Sequence, residues 1–268
     1  ADKYPLKLSD LMVTALNPKK GWADLAWASG PTQIVENVPI VGFTGDKFYR
    51  PMWMSDDMLD FTGSVLAIDP SGRGKDETAY AVVKMLNGYL YVTRIGGFVG
   101  GYSDKTLTSL STVAKQESVN MVIVESNFGD GMYVKLLTPI LNRIHRVTIE
   151  EVRHSTQKEM RMIDTLEPVM MQHRLIVDEK LIKEDYDSAP EPSYSLFYQM
   201  TRLTRDRGAI IHDDRLDALS MAVAYWTEQM DADSESLASM QKTEAFNREI
   251  ERFMDHAVGQ KPRGITWM

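Results

Sequence analysis

With 268 residues, 43% of them hydrophobic and 25% charged, the chain is long enough to fold around a sizeable core. It has no cysteine, which excludes disulfides and cysteine-ligated zinc, and no run of 18 apolar residues, so no helical membrane span is expected. Against 38 acidic residues stand 30 basic ones, a formal charge of −8. That argues against an indiscriminate nucleic-acid binder, so contact with nucleic acid has to rest on local basic patches or on metal ions that offset carboxylates.

The start, Ala1-Asp2-Lys3-Tyr4-Pro5, lacks the apolar core of a signal peptide, and the missing initiator Met leads us to expect a piece of something longer. Residues 1–60 are punctuated by Pro5, Pro18, Pro31, Pro39 and Pro51, with a short helix expected near Leu8–Val13 capped by Ser9 or Asp10. Trp22, Trp27, Phe43, Phe48, Tyr49 and Trp53 are too many aromatics for a disordered linker. We read residues 1–60 as an extended arm packed on the domain that follows.

From Ser64 the pattern sharpens, and residues 61–230 read as one domain. Val65-Leu66-Ala67-Ile68 is a short, fully apolar run and predicts a buried strand. A second strand is expected from about Thr78 to Leu86, a two-residue turn at Asn87-Gly88, and a third strand from Tyr89 to Ile95. A helix follows over Asp104–Gln116, capped by Ser103 or Asp104, then a fourth strand, Met121-Val122-Ile123-Val124. Met132–Ile140 and Thr156–Met171 have helical periodicity, with short strands at Val147–Ile149 and Leu175–Val177. The acidic, proline-containing stretch 179–192 reads as a loop and Ser193–Leu203 as helical. The last clear helix runs from about Asp214 to Glu228, with Leu216, Leu219, Val223 and Trp226 on its buried face. Residues 231–268 read as a polar C-terminal tail. Three antiparallel strands, a helix and a parallel fourth strand give an α/β fold with a ribonuclease H-like mixed sheet, in which the first and fourth strands are neighbours.

Apolar elements end on acids. Asp69 closes the first strand, Glu125 closes the fourth, and Asp214 and Asp217 stand at i and i+3 on the last helix, so they share a face. A bare carboxylate at the edge of a core is costly unless it is paired, hydrogen-bonded or metal-bound. In the ribonuclease H arrangement these four meet at one end of the sheet. Hard Mg²⁺ or Mn²⁺ takes oxygen ligands, and two such ions support in-line phosphodiester displacement without a side-chain nucleophile. Asp69 is the candidate to bridge the two ions, and Asp76, across the turn, a candidate further ligand. Asp213 suits a helix cap, and His212 a proton shuttle or metal neighbour. Gly72-Arg73-Gly74-Lys75 is not a Walker A loop, because Asp69 stands where its first Gly belongs and Asp76 follows the Lys. Arg73 and Lys75 there, and Arg202, Arg205 and Arg215 near the acidic helix, are candidate DNA-phosphate contacts. So are the bases between Arg143 and Arg161, although a solvated helix face is the commoner fate of such residues.

Three segments carry a resemblance: Asp69-Pro70-Ser71-Gly72-Arg73-Gly74-Lys75-Asp76-Glu77-Thr78-Ala79, Val122-Ile123-Val124-Glu125-Ser126-Asn127, and His212-Asp213-Asp214-Arg215-Leu216-Asp217-Ala218-Leu219. In this order they resemble the C-terminal nuclease domain of tailed-bacteriophage large terminases, of the short-tailed coliphage type, over roughly Ser64–Glu228. The resemblance implies a metal-dependent endonuclease that cuts concatemeric double-stranded viral DNA during packaging. Asp69 and Glu125 match its first two metal-binding acids, and either Asp214 or Asp217 the third. It further implies a portal ring, a small terminase subunit and a packaging ATPase domain missing from this chain as partners, and the procapsid in the host cytoplasm as the place of action. The acids alone fit an integrase or a junction resolvase equally well. An actin-like nucleotide-binding domain would need an internal repeat, which the sequence lacks, and a purely docking module gives converging acids no purpose.

Overall fold

The computed structural model describes residues 2–71, 76–126 and 130–259, with residues 255–259 described by backbone alone. The chain divides into two units, Ala1–Trp226 and Thr227–Met268. In chain order the N-terminal segment contributes β1 (Met12–Thr14), β2 (Lys20–Trp22), β3 (Leu25–Ala26), β4 (Trp53–Met54) and β5 (Met58–Asp60). Then come β6 (Gly63–Asp69), β7 (Glu77–Leu86), β8 (Tyr89–Val99), α1 (Asp104–Gln116), β9 (Met121–Glu125), α2 (Met132–Ile144), β10 (Thr148–Val152) and α3 (Lys158–Met171). The chain continues through β11 (Leu175–Asp178), α4 (Glu179–Ser188), α5 (Leu196–Arg202) and α6 (Asp214–Gly259).

The main sheet has the order β1-β11-β8-β7-β6-β9-β10. β6, β7 and β8 are antiparallel. β9 lies parallel to β6, and β10 parallel to β9. On the other side β11 lies parallel to β8, and β1 parallel to β11. This is the ribonuclease H-like mixed sheet expected from the sequence, with the first and fourth strands of the domain side by side.

β6 is buried along its whole length, and its side chains alternate between two covered faces. Leu66 and Ile68 join Val82, Val122 and Val124 under α1 and α2, in a core with Leu107, Leu110, Leu137 and Leu141. Gly63, Val65, Ala67 and Asp69 point the other way, and directly paired residues share that face: Val83 opposite Val65, Ala81 opposite Ala67, Ala79 opposite Asp69. α6 covers this second face. Trp226 hydrogen-bonds Val83 O at 2.9 Å, and a Cβ on Gly63 would stand 2.7 Å from its ring. From Asp214 to Trp226 a helix rises about 18 Å, close to the roughly 20 Å that β6 spans from Gly63 to Asp69. With Trp226 over the start of β6, the first turn of α6 therefore falls at the end that carries Asp69.

Three elements differ from the sequence expectation. The stretch 179–192 was expected as a loop, yet it holds helix α4, which buries Leu181, Ile182 and Asp185. Its acidity disguised an amphipathic pattern in which one of the acids belongs inside. Leu8–Asp10 is a single 3-10 turn leading into β1, not a longer helix, because Met12–Thr14 finds backbone partners along β11. The last helix does not stop near Glu228: α6 runs to Gly259, through residues that include no Gly or Pro before that position and many good helix formers. Leu237, Met240, Phe246, Ile250, Phe253 and Met254 on this stretch are exposed.

A buried ion pair ties the N-terminal segment, the sheet and α1 together. Lys84 Nζ lies 3.0 Å from Glu117 and donates to Pro18 O at 2.7 Å, while Thr93 donates to Glu117 at 3.1 Å. Breaking a buried pair from one side costs about 3–5 kcal/mol, with the lower end expected here because Arg94 stays 3.7 Å from Glu117. At about 2–4 °C per kcal/mol for a unit of this size, Lys84→Ala is expected to lower the thermal midpoint by about 10 °C, as read by circular dichroism.

Candidate metal centre

The end of β6 collects acids for reasons of pleat and register. Ile68 pairs with Val124, so the next residues along the two parallel strands, Asp69 and Glu125, are neighbours on the α6 face. Val152 at the end of β10 pairs with Glu125, which brings the residues just after β10 to the same edge. Above them the first turn of α6 presents Asp214 and Asp217, and Asp213 precedes it. Two ligand groups result, each with carboxylate oxygens within 4.8 Å of one another. One is Asp69, Glu125 and Asp217, all buried. The other is Asp69, Asp213 and Asp214. Asp69 belongs to both.

Cations thread between these acids. Lys158, the first residue of α3, reaches Asp213 at 2.7 Å, Asp217 at 3.1 Å and Asp69 at 3.4 Å. One turn on, Arg161 Nη2 lies 3.1 Å from Asp217 Oδ1 and 3.4 Å from Glu125 Oε1. His154, after β10, meets Glu125 at 3.1 Å through Nδ1. Asp217 is fully buried, and its Oδ1, although close to Arg161, makes no well-directed hydrogen bond among the described residues. Hard oxygen donors, a shared central carboxylate and a buried acceptor short of a hydrogen bond suit a hard divalent cation.

The protonation equilibria report the same crowding. Burial pushes the Asp69 carboxyl well above its usual range; Lys158 opposes this, and the charges of Asp217, Glu125 and Asp214 add to it. Asp214 is raised to about 7, chiefly by burial, against the pull of Lys158 and with Asp213 and Asp76 adding to the rise. Burial alone would lower the Lys158 ammonium, but Asp217, Asp69 and Asp213 outweigh it and hold the group charged.

Of the residues singled out from the sequence, Asp69, Glu125, Asp214 and Asp217 are brought together. Asp214 and Asp217 fall in different groups, each together with Asp69. Asp76 is exposed, just before β7, and belongs to neither group. Arg73 and Lys75 lie outside the described residues. Arg205 is 41% exposed and pairs with Asp164 and Glu167. Arg202 holds the N-terminal segment, donating to Val41 O at 2.8 Å and stacking on Tyr198. Arg215 does not face solvent at all: it is wholly buried against Glu77 and Asp185, so it is no phosphate contact. His212 stacks on Tyr194 at 3.8 Å. Lys158, Arg161 and His154 went unread as parts of an acidic centre. Their i, i+3 spacing on α3 and the position of His154 just past a strand end were the available signals.

Sheet order and acids together define a ribonuclease H-like domain with two carboxylate groups that could hold metal. Residues 68–175 match the family described as Terminase Bacteriophage T7, Ribonuclease H-like domain. Over 274 aligned residues the chain is 42% identical to the large terminase subunit of Enterobacteria phage T3, covering 100% of this chain and 46% of that protein. The chain thus spans about half the length of the curated relative it matches. It belongs to the terminase large-subunit family, and its residues 68–175 match that family's ribonuclease H-like domain. Among solved structures, the nuclease domain of the large terminase subunit of bacterial virus Sf6 is similar at 14% identity and a TM-score of 0.46, covering 61% of this chain and 88% of that one. The large terminase nuclease of thermophilic phage G20c gives 12% and 0.45, over 83% and 98%. The Mn-soaked, inhibitor-bound human cytomegalovirus terminase nuclease domain gives 15% and 0.46, over 62% and 84%.

The raised Asp214 carboxyl sets a pH dependence. Without metal, the folded protein holds a proton up to about pH 7 that the unfolded chain releases near the ordinary 3.8. The stability this group contributes is therefore complete below about pH 4 and lost as pH rises through about 7. In EDTA the thermal midpoint is expected to fall between about pH 4 and 7, and Asp214→Asn to flatten that fall. A parallel fall in both proteins would show that Asp214 is not its source.

Proposed function

We propose that this chain is a Mg²⁺- or Mn²⁺-dependent DNA endonuclease that cuts concatemeric double-stranded viral DNA during genome packaging. The observation that carries the reading is the pair of carboxylate groups sharing buried Asp69. Two divalent ions bound there would supply Lewis-acid charge to the attacking and leaving oxygens of an in-line phosphodiester displacement. Asp69 would contact both ions, Glu125 and Asp217 one, Asp213 and Asp214 the other. These side chains orient the charge, and burial of Asp69 and Asp217 keeps competing water away from their inner oxygens. Lys158 and Arg161 hold the acids together in the absence of divalent charge and must yield part of their contacts when it arrives. Charge brought by the ions also explains how a chain of net charge −8 can meet a polyanion.

Family membership favours DNA over other phosphodiesters, and the terminase match favours this reading over an integrase or resolvase. With it we propose the packaging partners: the portal ring, a small terminase subunit and a packaging ATPase domain, acting at the procapsid in the host cytoplasm. Among the described residues no helix is long and apolar enough to cross a membrane.

Plasmid cleavage in Mg²⁺ or Mn²⁺ tests the reading. Asp69→Asn and Glu125→Gln are each expected to slow cleavage by more than about 100-fold, beyond the loss typical of groups that merely orient metal ligands. Equal cleavage by the parent and both variants would overturn it.

A further inference from the structure

We infer that Arg215 is the positioning residue of the metal centre: a buried clamp from Arg215 to Glu77 and Asp185 fixes the first turn of α6, and with it Asp214 and Asp217, over Asp69. The inference deepens the metal-centre reading and rests on it. Asp214 and Asp217 lie within about 60° of each other around the helix, and Arg215 about 130° from their midpoint, at 3.6 residues per turn. The turn that presents acids to the site therefore presents a guanidinium away from it.

That guanidinium is held on two sides. Nε and Nη2 donate to the two oxygens of Glu77, at 3.0 and 2.9 Å, in a bidentate fork. Nη1 donates to Asp185 Oδ1 at 2.9 Å, to Asp185 O at 3.2 Å and to Ser188 Oγ at 3.0 Å. Both anchors are themselves buried and tied to rigid elements. Glu77 is the first residue of β7, two places before the residue paired with Asp69. There is room for its carboxylate because residue 97 is glycine: a Cβ at Gly97 would stand 2.4 Å from Glu77 Oε2. Asp185 also accepts from Leu196 N at 3.0 Å and Phe197 N at 3.4 Å, at the start of α5. From α5, Gln199 Oε1 accepts from Leu216 N at 3.0 Å, the residue after Arg215. The first turn of α6 is thus bound to β7, α4 and α5, none of which supplies a carboxylate to either ligand group. Acids that repel one another need such an outside hold if they are to stay in ligating geometry while empty. A lysine, with one point charge, cannot reproduce the fork.

The test compares the 268-residue chain with Arg215→Lys, Glu77→Gln and their combination, by Mg²⁺ titration of plasmid cleavage and by the thermal shift that Mn²⁺ induces. Circular dichroism gives the folded fraction of each. We expect the half-saturating Mg²⁺ concentration to rise about 10-fold or more in either single variant, with cleavage partly recovered at high Mg²⁺. The double variant should be no worse than the poorer single one, because both remove the same clamp. If Arg215→Lys does not fold, Glu77→Gln and Gly97→Ala, which disturb the clamp from the β7 side, carry the test with the same expected rise. Unchanged half-saturation, with activity falling only as the folded fraction falls, overturns the inference while leaving the metal centre intact. A parent chain that neither cleaves nor is stabilised by metal overturns both.

Discussion

Carboxylates gathered at one end of a sheet repel each other, and much of this molecule answers that repulsion. Two full charges about 4.8 Å apart oppose one another by roughly 3–4 kcal/mol at an effective dielectric of 20, and Asp69 has such neighbours on both sides. The fold meets the strain in three ways. Lys158 and Arg161 bring positive charge between the acids. Raised affinity for protons lets Asp69 and Asp214 shed charge. Covalent and packing constraints, namely the end of β6, its register with β9 and the first turn of α6, leave the acids no direction in which to separate.

The same strain is what makes the place suitable for divalent cations. A site whose acids were fully satisfied by lysine and arginine would have little to offer a metal. Here Asp217 Oδ1 is buried beside Arg161 without a well-directed hydrogen bond, and Asp69 serves two groups at once. Charge from ions would replace charge from side chains and, on the proposed reading, let an acidic chain approach a polyanion. The stiffness needed for this comes from the opposite side of α6, where Arg215 joins β7 to α4.

Much of the architecture is legible from residues alone, because the rules involved are local. Val65–Ile68 and Val122–Val124 are apolar runs too short for helices, Asn87-Gly88 marks a hairpin, and an acid at the end of an apolar run is conspicuous. What escaped reading depends on partners far away in sequence. Asp185 looks like one more charge in an acidic loop until Arg215, 30 residues on, is seen to bury it. Arg215 looks like a phosphate contact because it sits among acids in sequence, yet its side chain leaves the helix on the other side. Lys158 and Arg161 look like a solvated basic face, and only the pairing of β10 with β9 carries α3 to the acids.

The sequence by itself determined which residues are able to carry the chemistry and in which order they occur, since strand ends, caps and hairpin turns follow from nearest-neighbour preferences and the periods 2 and 3.6. It also determined family membership, which rests on matching residues. Only the tertiary structure decided which charges meet. Parallel register between β6 and β9 sets Asp69 beside Glu125. The matching lengths of β6 and the first part of α6 set Asp217 over them, and the buried fork of Arg215 turns a candidate DNA contact into a structural clamp. Charge pairing across 30 to 138 residues is a property of packing, because the free energy of a carboxylate is set by what surrounds it and not by what precedes it in the chain.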